Sequence, residues 1–161
     1  MTDTEKKLSD AAVQMKLALG NMKNENVLRS CINSFITHSR SVTFVMQAES
    51  AAYPELTAWY ENRMALLKEI PLLRFFNAQR VHTIHKGVVT PTIQITPIRD
   101  IKINGEIKPG EGTMTFLRFE GVEEYIPGDS GGAIRLCEQY FIVMRTLVRE
   151  WLEQRIILGI E

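Results

Sequence analysis

Arg80, His82 and His85 stand within one short stretch, 71–87, that reads PLLRFFNAQRVHTIHKG and holds two of the chain's three histidines. A guanidinium carries a permanent positive charge and suits a phosphate. An imidazole titrates near neutrality and can give or take a proton there. On a helix stepping about 100° per residue, Leu73, Phe76 and Ile84 fall within about 40° of Arg80, so the arginine sits on the apolar stripe, where an unpaired charge costs several kcal/mol. His85 lies about 140° and His82 about 200° round from it. Together these are the groups wanted around a phosphate. The third histidine, His38, follows Ser34 and precedes Ser41 on one helical face, with Arg40 two residues on. His38 and Arg40 are candidate binding residues beside His82, although a lone histidine among apolar neighbours usually serves as a hydrogen-bonded core group.

The elements that must position these residues follow from punctuation and periodicity. Pro71 suits a first helical position and Gly87 the left-handed residue past a helix end, with His85 and Lys86 at the negative end of the dipole. Upstream, Asp3 or Thr4 can cap a first helix with Leu8, Ala11 or Ala12, Met15 and Leu19 on its apolar side. A longer helix is predicted from about Asn24 to Ser50, carrying Leu28, Cys31, Ile32, Phe35, Val42, Val45 and Met46. A third begins at Tyr53-Pro54-Glu55 and carries Leu56, Trp59, Tyr60, Met64, Leu67 and Ile70. After Gly87 the pattern turns to strands: Thr92 to Thr96 alternates, Asn104-Gly105 marks a two-residue hairpin, 109–112 is a second turn, and a strand runs about Met114 to Phe119. A last long helix is predicted from about Asp129 to Ile157. Its apolar stripe, which includes Cys137, Tyr140, Met144, Leu147 and Trp151, is broader than one core face needs. Either it is sandwiched within the domain or its second side meets another chain, a modest argument for a homodimer. The expectation is a single, mainly α domain over 1–161: a helical bundle (1–87), a small antiparallel β-hairpin insertion (88–127) and a C-terminal helix (128–161).

Composition narrows the classes. The chain has 161 residues, 45% of them apolar, enough for one core. Lys+Arg exceed Asp+Glu by 11 to 8 over residues 1–87 and fall short by 8 to 11 over 88–161, so no basic footprint announces nucleic acid. Cys31 and Cys137 lie in apolar helical patterns, as reduced buried thiols do, and suggest a cytoplasmic protein. No run approaches a membrane span. His82 and His85 are too few for a metal, and no phosphate loop or dinucleotide fingerprint calls for a cofactor. Gly128-Asp129-Ser130-Gly131-Gly132 spells the trypsin-like nucleophile motif, but the chain lacks the β-structure that chemistry needs. The simpler expectation is that Asp129 or Ser130 caps the last helix.

The arginine, four residues and histidine of Arg80–His85, placed after three helices and before a helix-ending glycine, resemble the motif of the HEPN superfamily (higher eukaryotes and prokaryotes nucleotide-binding). The resemblance covers the helices up to Gly87, with the C-terminal helix closing a four- to five-helix bundle. It implies a dimer whose two motifs line a cleft and, in active members, a metal-independent ribonuclease. Arg80 would then hold the scissile phosphate, and His85 would deprotonate the ribose 2′-hydroxyl or protonate the leaving oxygen. Members commonly have a polar residue after the arginine, where this chain has Val81. That departure leaves as alternative a non-catalytic interaction or dimerisation module with a protein partner, of the bacterial toxin–antitoxin or stress-response type.

Overall fold

The computed structural model describes residues 1–86, 92–97, 100–110 and 113–160, and of Arg80 and residues 82–86, 93–97, 100–101 and 113–116 the backbone alone. The chain is mainly helical, with five helices and a small antiparallel β-arm before the last: α1 (Asp3–Gly20), α2 (Glu25–Ser50), α3 (Pro54–Leu67), α4 (Pro71–Lys86), β1 (Thr92–Pro97), β2 (Asp100–Ile103), β3 (Glu106–Pro109), β4 (Thr113–Arg118) and α5 (Ala133–Ile157). A 3₁₀ turn, Val122–Glu124, which periodicity did not suggest, lies between β4 and α5. Among the described residues no helix is long and apolar enough to cross a membrane.

Helix starts follow from local chemistry. Thr2, rather than Asp3 or Thr4, caps α1: its hydroxyl accepts from the Glu5 N–H while the Glu5 carboxylate accepts from the Thr2 N–H, a reciprocal capping box. Thr4 is instead fully buried, and its N–H and hydroxyl both donate to the Glu49 carboxylate at the far end of α2. The Asp3 N–H donates to the same carboxylate, so two orphan donors of α1 are satisfied by its antiparallel neighbour, which fixes the pairing of the two helices. Leu19, expected on the apolar side, is exposed, and Ala18 takes the core position, because the small side chain lets α1 lie close on α2. Asn24 caps α2 through the Val27 N–H, and Pro54 and Pro71 open α3 and α4 at the first helical position.

The β segment is two nested antiparallel pairs, an inner hairpin β2–β3 and an outer pair β1–β4 with Thr92 opposite Arg118. Asn104 and Gly105 both take positive φ, 51° and 87°, the two left-handed residues that a type I′ hairpin turn requires.

The predicted start of α5 at Asp129 is displaced. Gly132 is its N-cap and no side chain caps it. The Asp129 carboxylate instead accepts from the Gly131 N–H at 2.7 Å and from Arg135 at 2.5 Å, folding 129–131 into a turn of its own. Neither Asp129 nor Ser130 is therefore the cap. Once under way, α5 is the centre of the molecule. It packs against α1, α2, α3, α4 and β4, which accounts for its broad apolar stripe within the chain itself. Trp151 is wholly buried and donates its indole N–H to the Ser50 hydroxyl, itself a donor to the Met46 carbonyl.

Candidate functional site

Arg80, His82 and His85 lie on the helical backbone of the last two turns of α4. That backbone is anchored from within by two consecutive phenylalanines. Phe76, one turn before Arg80, stacks on Tyr140 of α5 at 4.4 Å between ring centroids, and Phe75 meets Phe119 and Tyr125, beyond β4, at 5.5 and 5.8 Å. Tyr140 in turn meets Phe35 of α2 edge-on. Aromatic pairs of this geometry contribute about 0.5–1.5 kcal/mol each beyond their burial, so α2, α4, α5 and the end of the β-arm are locked to one another where the motif begins. His85 stands five positions beyond Arg80 on the helix, a rise of about 7.5 Å. The side chains of Arg80, His82 and His85 lie outside the described residues, as does Gly87.

His38 and Arg40 leave α2 on different sides. The Nδ1 of His38 is 3.7 Å from the Asp10 carboxylate of α1, so this histidine belongs to the α1–α2 contact. Its neighbour Ser41 donates to the Thr37 carbonyl of its own helix. Arg40 turns the other way. Its guanidinium lies over the Phe44 ring at 5.1 Å and lines a cavity of about 110 Å³ with Lys68 and Met64 of the α3 side and Leu73, Arg74 and Asn77 of α4. Tyr60 of α3 donates to the Thr43 carbonyl nearby. Burial raises the pKa of its phenol, and the positive charge of Arg40 works in the opposite direction.

Lys68, Arg74 and Asn77 were not singled out from sequence. A signal for them exists. The first turn of α4 holds no acidic residue, and Arg74 follows it directly, placing a cation at the positive end of a helix dipole, where one is disfavoured. The helix-to-helix proximity of Arg40 and Lys68 to that end is a tertiary fact that spacing cannot give.

A wider cavity of about 520 Å³ lies beside β4 and the 3₁₀ turn, walled by Arg118 together with Glu120, Glu123, Glu124 and Asp129. Burial would raise the Asp129 pKa, but the hydrogen bonds from Arg135 and the Gly131 N–H, with the Arg135 charge, hold it below the usual carboxylate value. Among the described residues no group of three histidine, cysteine or acidic side chains could hold a metal ion. Cys31 and Cys137 are both buried and unpaired, and burial pushes the Cys137 thiol far up, away from thiolate chemistry.

Residues 1–90 match the model of the family described as bacteriophage lambda protein ea47, and the chain belongs to that family. The match takes in α1 to α4, with Arg80 and His85, and stops before the β-arm. No curated protein and no solved structure matches the chain.

Proposed function

We propose that this member of the bacteriophage lambda protein ea47 family is a HEPN-like module that binds RNA, and cleaves it without a metal, through Arg80 and His85, acting as a homodimer in the cytoplasm. One observation carries the reading: Arg80-x4-His85 occupies the last two turns of α4, in a five-helix chain whose β-arm is inserted before the closing helix. In this reading Arg80 holds the scissile phosphate and offsets the charge that builds in the pentacoordinate transition state. His85 moves the proton of the ribose 2′-hydroxyl or of the leaving oxygen. His82 is the further binding group of the same turns.

A second reading, a non-catalytic interaction module, is favoured by Val81, an apolar side chain 48% exposed directly after the arginine. Incubating the purified protein with total RNA and with tRNA in EDTA, beside His85→Ala, separates the two. Cleavage by the wild type and a loss of at least about 100-fold in the variant is expected, within the usual range for a proton-transfer residue. Silence of both at high protein concentration would remove the nuclease reading and leave the interaction module.

A further inference from the structure

We propose that the cavity between α2, α3 and α4 binds a phosphate group, held by Arg40, Lys68 and Arg74. All three cations line one small space, and among the described residues no carboxylate lines it with them. Among the described residues none of the three side chains makes a hydrogen bond or an ion pair; the charged face of Arg40 is occupied only by the Phe44 ring. The Nε of Arg40 is buried and has no acceptor. A buried guanidinium N–H left without an acceptor is costly, and Lys68 and Arg74 add two exposed positive charges beside it. A bound anion supplies both the acceptor and the counter-charge.

The walls define which anion. Met64, Leu67 and Leu73 form the apolar part of the wall, while Lys68 and Arg74 border it from the exposed side, where a charged group can enter. The cavity, of about 110 Å³, has room for a phosphate group. Arg40 offers the planar fork that matches phosphate oxygens, Lys68 a compact charge, and Arg74 a second fork at the positive end of α4. The same phosphate chemistry is supplied by an RNA strand or by a free mononucleotide. The strand as source rests on the RNA reading above; the phosphate site does not.

The test uses the full chain with a fluorescein-labelled oligoribonucleotide, a nucleoside monophosphate and inorganic phosphate, by fluorescence polarisation and isothermal titration calorimetry. Arg74→Gln is the first variant because Arg74 is exposed and its removal leaves the core intact; Arg40→Gln is the second. Each is expected to weaken binding about tenfold or more. Each is also expected to lower the slope of log affinity against log salt for the oligonucleotide by about 0.7, the value for one fewer phosphate neutralised on a single strand. Arg149→Gln, an exposed α5 cation paired with Glu153, is expected to change neither. Binding of the small phosphates alone, abolished in the variants, upholds the cavity with a mononucleotide as its source and counts against the RNA reading. Oligonucleotide binding unchanged in both variants overturns the cavity while leaving the RNA reading to the His85→Ala comparison. No binding of any of the three at millimolar concentration also overturns it.

Discussion

Gly131 decides how the chain enters its last helix. Its φ of 74° lies in the left-handed region, and a Cβ built there would meet the Phe119 carbonyl oxygen at 2.7 Å, a backbone atom that cannot swing aside. The approach is close because the Phe119 N–H donates to the Gly131 carbonyl at 2.8 Å and Arg118 bridges to Gly132, so the two segments run side by side. Gly131→Ala is therefore expected to destabilise by about 2 kcal/mol or more, left-handed strain alone costing about 1–2. Urea denaturation would measure it; a loss below about 0.5 kcal/mol would show that the turn relaxes. The GDSGG stretch is thus a turn in which Gly128 and Gly131 take the positive φ that favours glycine, and Ser130 in its middle is exposed.

At the scale of elements, the start of α5 is fastened by one carboxylate. Burial pushes the Asp129 pKa up, but the bonds it accepts from Arg135 and Gly131 outweigh this and hold it below the ordinary value. A group whose folded pKa is depressed contributes stability that is fully present above its unfolded pKa, near 4, and is lost as pH falls through the lower folded value. Wild-type stability is expected to decline below about pH 4, and Asp129→Asn to flatten that part of the decline. Equal acid slopes for the two proteins in urea titrations would remove Asp129 as a contributor.

Most helices were legible from their ends: Pro54, Pro71 and Asn24 act locally, and local chemistry is written in the sequence. The NG hairpin was legible for the same reason. What escaped was set at long range. The Thr4–Glu49 contact spans 45 residues of chain and displaced Thr4 from the capping role, and the Gly131–Phe119 approach shifted the start of α5 by several residues. The cationic cavity escaped likewise, since its three cations come from three places in the chain that only packing brings together.

For the whole molecule, the breadth of the α5 stripe no longer argues for a second copy, since Trp151, Tyr140 and Met144 are all buried by the chain's own helices. The proposed dimer rests on the motif alone. Sedimentation or light scattering is expected to give twice the chain mass of 18.4 kDa. A monomer at tens of micromolar would require a site complete within one chain.

The bond between Trp151 and Ser50 joins residues 101 positions apart, and the pair of Arg63 with Glu150 joins residues 87 apart. The helix that completes the core is thus synthesised after the four helices it packs against, at a pace of about 5–20 residues per second. Until α5 has cleared the ribosome, α1 to α4 hold Phe35, Phe76 and the Ser50 hydroxyl without the surfaces they pack against. The nascent chain must wait, unlocked, until that helix has emerged, and any chaperone that attends it has that interval in which to act.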